Sequence, residues 1–338
     1  MLNINNRRYI GSKTKLVEAI FEETVKRIKG NFSFADIFAG TGVVAYEFAS
    51  KGYPVIVNDI LYSNYISYQA WFGTDEVNFD KLNKTVSELN EIPYESIKDN
   101  YFSKIYSNKY YSRNDAKKIG YIRELIENKK DEFNYREYCA LITALMYSAD
   151  RIANTVGHFE HYLKSVPKDS NFEIRTLELE NFKGTKIFQE DANDLVKKIS
   201  ADVTYIDPPY NARQYVNFYH VLENLVTWEK PTEFEGTSMK FKRDHLKSGY
   251  SRVAAKGLMQ DLINNIDSKL IIVSYNNTYN ARSTASNNRI SENDIIEMLT
   301  KKGKLDIIEI DHQYFNSGQT KFNNHKEKLY ICEVIKDG

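Results

Sequence analysis

Residues 33–59 carry the pattern that most constrains this chain: a short apolar strand, a glycine-containing turn, a helix of small and apolar residues, and a second short apolar strand ending in an acid. Residues 33–38 read SFADIF, 39–52 read AGTGVVAYEFASKG with a glycine stop at the end, and 54–59 read PVIVND. Strands this apolar along their whole length are buried on both faces, as in a parallel sheet covered by helices. The same grammar returns late. Residues 202–207 (DVTYID) run into Pro208 and Pro209, where the strand must end because proline cannot donate to the ladder. A helix is expected over 216–228 and a buried strand over 269–275 (KLIIVSY). Ser291 should cap a helix closed by Gly303, and 305–310 and 328–335 should form two last strands, antiparallel because no helix separates them. The expected fold is α/β, with a mostly parallel sheet and helices on both faces.

The stretch 62–185 between these blocks is polar, Tyr-rich and helical by pattern. Residues 112–129 have amphipathic spacing and 135–149 that of a more buried helix. We expect a catalytic domain over 1–70 and 186–338, with 71–185 as a mainly helical insertion. Lys plus Arg and Asp plus Glu both total 46, so no global basic excess marks the chain as a nucleic-acid binder and any basic footprint must be local. The 25 tyrosines could stack on bases, but the compositional bias of an AT-rich genome is the better account of them. No apolar run spans a bilayer and MLNINNRRYI lacks a signal-peptide core, so a cytoplasmic location without membrane partners is expected. Cys139 and Cys332 form no CxxC pair and read as buried thiols.

Two constellations carry chemistry. Asp36 and Phe38-Ala39-Gly40-Thr41-Gly42 leave the first strand, and Asp59 ends the second. Glycines there let a backbone approach a ligand, and an acid after the next strand can accept both hydroxyls of a ribose. FAGTG lacks the third glycine of a dinucleotide loop and the Lys of a P-loop, and a structural turn would show the same residues. The second constellation is Asp207-Pro208-Pro209-Tyr210. An exocyclic amine such as adenine N6 is a poor nucleophile because its lone pair is delocalised into the ring. The Asp207 carboxylate and the Pro208 carbonyl would accept its two N–H groups and localise that pair, with the prolines preorganising the carbonyl. Tyr210 offers a face for a base that has left the helix.

On these motifs the chain resembles the Dam-like α class of adenine-N6 DNA methyltransferases, especially those of restriction-modification systems. Arg8-Tyr9-Ile10-Gly11-Ser12-Lys13 resembles the N-terminal motif that closes over the cofactor, with Tyr9 where many members carry Trp and Ser12 where many carry Gly. Phe38 to Gly42 resembles the methionine-side loop, Asp59 the ribose acid, Asp191 the acid near the cofactor adenine, and Asp207 to Tyr210 the catalytic motif. Residues 151–160 (RIANTVGHFE) resemble the loop that approaches DNA, and Asn211 to Tyr215 continue the catalytic motif. The resemblance implies a Rossmann-like S-adenosylmethionine-dependent methyltransferase sheet with a helical DNA-recognition insertion. Tyr9, Lys13, Asp36, Phe38 to Gly42, Asp59, Asp191 and Asp207 would then bind S-adenosyl-L-methionine. It also implies double-stranded DNA as substrate, a functionally paired restriction endonuclease, and action as a monomer.

Arg151, Asn154 and His158 are candidate DNA contacts, although Arg151 and Asn154 would serve equally to cap and pair at the end of the preceding helix. Lys240, Lys242, Arg243 and Arg252 lie in a basic run over 240–256 that could grip phosphates or be a solvated loop. His158, Glu160 and His161 lack the spacing and third ligand of a metal site, and no metal is expected. Tyr219, His220, Glu223 and Asn224 are assigned no chemical role. The rival readings are cytosine-N4 methylation, which suits the same acceptor pair, methylation of structured RNA, a non-catalytic binding module and a dehydrogenase, against which the incomplete glycine pattern argues.

Overall fold

The computed structural model describes residues 1–276, 287–311 and 326–335. In chain order it forms α1 (Val17–Arg27), β1 (Phe34–Asp36), α2 (Val43–Ser50), β2 (Val55–Asn58), α3 (Tyr62–Phe72), α4 (Phe79–Asn90), α5 (Tyr101–Tyr106), α6 (Arg113–Asn128) and α7 (Tyr135–Ile152). The chain continues as β3 (Lys186–Phe188), α8 (Ala192–Leu195), β4 (Val203–Ile206), α9 (Tyr215–Thr227), α10 (Ala255–Asn265), β5 (Leu270–Asn276), α11 (Glu292–Thr300), β6 (Gly303–Asp311) and β7 (Lys326–Val334). Two units result: Ser12–Ile60 with Lys183–Tyr215 and His245–Gly338, and Met1–Gly11 with Leu61–Phe182 and Val216–Asp244. The helical unit therefore begins at Leu61 and also takes in residues 1–11 and 216–244, which sequence patterning leaves with the catalytic segments.

The first unit is built on one seven-stranded sheet in the order β3-β2-β1-β4-β5-β7-β6. β1 pairs in parallel with both β2 and β4, with Phe34 opposite Val55 on one side and Val203 on the other. β7 runs antiparallel between β5 and β6. This is the Rossmann-like methyltransferase sheet that the resemblance implies. Every residue of β1, β4 and β5 is buried, which explains why their sequences are apolar without alternation. Ala35, Ile37, Ile206, Ile271, Val273, Met259 and Leu262 share one continuous core on a face of the sheet. The outer strand β6 carries Lys304, Asp306 and Glu309, charges that discourage edge-to-edge pairing.

Ser291 caps α11 as expected, accepting from Asp294 N at 3.2 Å. Gly303, however, does not stop that helix: α11 ends at Thr300 and Gly303 opens β6. A Cβ at Gly303 would lie 2.0 Å from Glu333 O, so the glycine serves the close approach of β6 to β7.

In the helical unit, α6 buries Ala116, Ile119, Ile122 and Ile126, the stripe its periodicity predicts, and Ser112 caps it. α7 is buried along almost its full length and begins with a reciprocal Asn134–Glu137 capping box. α3 has no side-chain cap of its own at Leu61. Glu223 of α9 replaces it: its two carboxylate oxygens accept from Tyr62 N at 2.8 Å and Ser63 N at 3.0 Å, satisfying the first amides of the helix and meeting its positive end. Glu223→Ala would leave two buried amides unbonded and is expected to cost roughly 1–3 kcal/mol, read as a lower urea midpoint by circular dichroism; an unchanged midpoint would mean that the cap is not needed.

Candidate active site

The strand order reverses between β1 and β4, the place in such a sheet where ligands bind beyond the carboxyl ends of the strands. Phe38 to Gly42 leave β1 beside this point. Gly40 and Gly42 adopt φ of +56° and +83°, a left-handed backbone that only glycine enters without strain, and Gly42 is the N-cap of α2. Gly40 N donates to Asp59 Oδ2 at 3.1 Å, so the acid after β2 fixes the glycine turn. Buried Asn58 holds three loops at once. Its Nδ2 donates to Ile37 O at 3.0 Å and Glu190 O at 3.1 Å, its Oδ1 accepts from Glu190 N at 2.9 Å, and its backbone carbonyl accepts from Ala39 N at 2.9 Å. Asp191, one residue beyond Glu190, is exposed and caps α8 by accepting from Asn193 N. Phe38 meets the ring of Tyr250 edge-on at 5.1 Å, and Tyr250 donates its hydroxyl to Asn193 Oδ1 at 2.8 Å.

At the end of β4 the structure gathers a buried charge network. Lys13 Nζ lies 3.0 Å from Asp207 Oδ1 and 2.9 Å from Glu327 Oε1, and it also donates to the Tyr210 hydroxyl. These three acceptors match the three N–H groups of an ammonium. The Tyr210 hydroxyl in turn reaches Asp207 Oδ1 and, at 2.8 Å, Glu327 Oε1. Ser274 Oγ donates to the same Glu327 oxygen at 2.8 Å. Among the described residues Asp207 Oδ2 makes no hydrogen bond, and the Asp207 side chain keeps 16% exposure. The Tyr210 ring packs edge-on against Tyr275 at 4.7 Å, and its carbonyl accepts from Arg289 N at 2.8 Å. The chain beyond is clamped: Gln214 donates to Ser248 O and accepts from Ser248 N.

Burial dominates the ionisation of this network. It pushes the Asp207 carboxyl up to about 6; the Lys13 ammonium opposes the rise and the Glu327 carboxylate adds to it. Burial also acts upward on Glu327, but Lys13 and the hydrogen bonds from Tyr210 and Ser274 hold it below the usual carboxylate range. Burial disfavours the Lys13 ammonium, yet its two carboxylates keep it charged well above the ordinary lysine range. Asp36 is buried at the end of β1 without a full hydrogen bond to either oxygen. Burial and then repulsion from Asp207 and Asp59 hold its carboxyl well above the usual value, with only the nearby Ala45 and Phe38 amides favouring its charge.

Lys13, Asp36, Phe38 to Gly42, Asp59, Asp191 and Asp207 to Tyr210 thus share the sheet unit, while Tyr9 belongs to the helical one. There its ring stacks flat on Tyr219, with centroids 4.6 Å apart, and Arg8 pairs with buried Asp150. Tyr219, to which sequence assigns no role, also accepts from Ile10 N at 2.6 Å and so holds the N-terminal motif.

Several expected DNA contacts have internal partners instead. The Asn154 amide donates to Lys109 O, Leu163 O and Ser165 O, holding its own loop closed. His158 is buried against Phe218 and accepts from Glu160 N. Arg243, expected at phosphates, is buried: its guanidinium donates to Asn217 Oδ1 and Phe241 O and pairs with Glu235. The basic run is not one loop, since residues 240–244 belong to the helical unit and those from 245 to the sheet unit. Lys240 is half-buried and its backbone pairs with Glu235, whereas Arg151, Lys242 and Arg252 are exposed. Glu327 was missed because Lys326-Glu327-Lys328 reads as a polar turn; β7 begins two residues earlier than its apolar run predicts. Among the described residues no cluster of His, Cys, Asp and Glu could hold a metal, and no helix is long and apolar enough to cross a membrane.

Residues 9–279 match the family of D12 class N6 adenine-specific DNA methyltransferases. The modification methylase StsI of Streptococcus sanguinis is 35% identical over 346 residues, an alignment covering 96% of this chain and 50% of that protein. The type II methyltransferase M.NlaIII of Neisseria lactamica is 31% identical, with 96% and 98% covered. For M.CviAII of Paramecium bursaria Chlorella virus 1 the identity is 29%, with 98% and 100% covered. The chain thus spans about half the length of the first relative and nearly all of the other two. With most of its length matched in this way, and with the glycine turn and Asp-Pro-Pro-Tyr on adjacent strands of the expected sheet, the chain belongs to the D12 class of N6 adenine-specific DNA methyltransferases.

Proposed function

We propose that this chain methylates N6 of a specific adenine in double-stranded DNA, as the modification enzyme paired with a restriction endonuclease. The observation that carries this reading is the Asp207 carboxylate at the strand-order reversal, with Oδ1 held by Lys13 and Tyr210 and Oδ2 without a hydrogen bond among the described residues. A carboxylate fixed by one oxygen presents the other in a preset direction, at no reorganisation cost when the amine arrives.

S-adenosyl-L-methionine supplies an electrophilic methyl group on a positively charged sulfur. The residues around the strand-order reversal suit such a ligand. Asp59, Asp207 and Glu327 outnumber the buried Lys13 ammonium, and burial followed by repulsion from Asp207 and Asp59 pushes the Asp36 carboxyl upward. A sulfonium and an ammonium relieve that repulsion. The turn over Gly40 to Gly42 would hold the methionine part, Asp59 the ribose hydroxyls and Asp191 the adenine side, with Phe38 contributing a ring.

Asp207 Oδ2 and the Pro208 carbonyl would accept the two amino hydrogens of a flipped adenine, whose ring stacks on Tyr210. These acceptors would localise the nitrogen's lone pair and aim it at the methyl group that the cofactor supplies, the sulfur keeping the S–C electron pair as S-adenosylhomocysteine leaves and Asp207 Oδ2 passing the released amino proton to solvent. Alignment, rather than acid–base work, limits such a displacement. The helical unit would select the sequence, with exposed Arg151 and Lys242 as phosphate contacts there and exposed Arg252 as a phosphate contact on the sheet unit.

Labelled methyl from S-adenosyl-L-methionine should appear in N6-methyladenine of unmethylated duplex DNA on nucleoside analysis; label in N4-methylcytosine, or only in RNA, would overturn the reading. Asp207→Ala should lower kcat by about 100- to 1,000-fold while calorimetry still detects cofactor binding, and an active variant would remove Asp207 from the mechanism. Lys242→Glu and Arg252→Glu should each raise the DNA KM and reduce the slope of log affinity against log salt by about one; unchanged slopes would return both residues to plain surface.

A further inference from the structure

Glu327 is a buried carboxylate that no motif assigns. It stands on β7, opposite Asn276 of β5 and Ile310 of β6, at the far end of the chain from Lys13. It is 3% exposed, and its Oε1 meets Lys13 Nζ at 2.9 Å, the Tyr210 hydroxyl at 2.8 Å and Ser274 Oγ at 2.8 Å. We infer that Glu327 is a positioning residue for methyl transfer: it holds Lys13 and Tyr210 so that both clamp Asp207 by one oxygen without neutralising it, and the other oxygen stays an acceptor for the target amine. This rests on the reading of Asp207 given above.

The argument is one of counting. A buried ammonium with three donors needs three acceptors, and here they are Tyr210, Asp207 and Glu327. Without Glu327, Lys13 turns wholly to Asp207, and a one-to-one ion pair draws electron density from the oxygen the amine must use. The single hydroxyl proton of Tyr210 has two carboxylates within reach, and with Glu327 gone it also falls on Asp207. Two carboxylates to one ammonium leave the network one unit negative, which favours the cationic methyl donor; the Glu327→Gln network is neutral. The fold supports the role, because inserting β7 between β5 and β6 brings residue 327 to Lys13 and to Tyr210 beyond the end of β4.

The charged and titratable groups facing Asp207 are Lys13, Glu327, Tyr210, Asp36 and Tyr205, and of these Glu327 acts to keep its carboxyl high. Removing the Glu327 charge should therefore lower the Asp207 pKa. In wild type, kcat/KM should fall as pH drops through about 6, where Asp207 takes up a proton and loses an acceptor. The test measures kcat, DNA KM and the pH profile for wild type, Glu327→Gln and Glu327→Asp, with thermal melts as a check on folding. Glu327→Gln should reduce kcat by about 10- to 100-fold with little change in DNA KM, and its acid limb should move to lower pH. Glu327→Asp keeps the charge but, one methylene shorter, no longer reaches Lys13 and Tyr210 together; its kcat should fall while the acid limb stays near the wild-type pH. Overturning results are a wild-type rate in either variant, or a slow Glu327→Gln whose acid limb does not move. Absence of N6-methyladenine with the wild-type protein would instead remove the proposed function, so the two failures are told apart.

Discussion

A single buried ammonium, Lys13 between Asp207 and Glu327, is the constraint around which the sheet unit is arranged. Burying a charge is costly unless it is paired and fully hydrogen-bonded. The partners come from three separated parts of the chain: the segment before α1, the end of β4 and the start of β7. Each can reach the others only in a sheet where β4 is central and β7 runs back antiparallel. The charge network and the strand order therefore specify each other. The same geometry leaves one Asp207 oxygen clamped and one presented, which is what a poor nucleophile such as a ring-conjugated amine needs from a surface that must not reorganise.

A second fixture is Asn58. Side-chain amides with donors and acceptor all engaged act as rigid joints. Here one amide fastens the glycine turn after β1, the end of β2 and the loop leading to Asp191. Residues proposed to touch opposite ends of the cofactor are thus held to one frame. Glu223 plays a comparable part in the helical unit, where a residue of α9 closes the open end of α3.

Much of the sheet was legible because a doubly covered parallel strand must be apolar throughout. SFADIF, PVIVND, DVTYID and KLIIVSY all satisfy that requirement, and the turn and Asp-Pro-Pro-Tyr follow directly from them. β3 escaped notice because Lys186–Phe188 is short and mostly accessible, so no apolar run marks it. Glu327 escaped because its flanking lysines look solvated, and its burial is decided by strands far away in sequence. Arg243 and Asn154 illustrate the converse. A cation or an amide in a polar stretch reads as surface, but whether Asn217 or Ser165 stands beside it is settled only by tertiary packing. The helical unit was readable as helices, yet not as a body assembled from three segments, since residues 1–11 and 216–244 bear no composition that sets them apart.

The placement of β7 between β5 and β6 has a consequence for synthesis. As the chain emerges from the ribosome, β5 is completed long before β7 exists, and it must wait with an open edge on a largely apolar strand, a hazard for self-association. Lys13, made long before β7, likewise lacks one of its two carboxylates until that strand arrives. The last strand therefore does two things in one event: it covers the exposed edge and delivers Glu327. A chain ended before β7 would hold every recognised motif and still lack Glu327, so the charge network around Lys13 is complete only once β7 has been made.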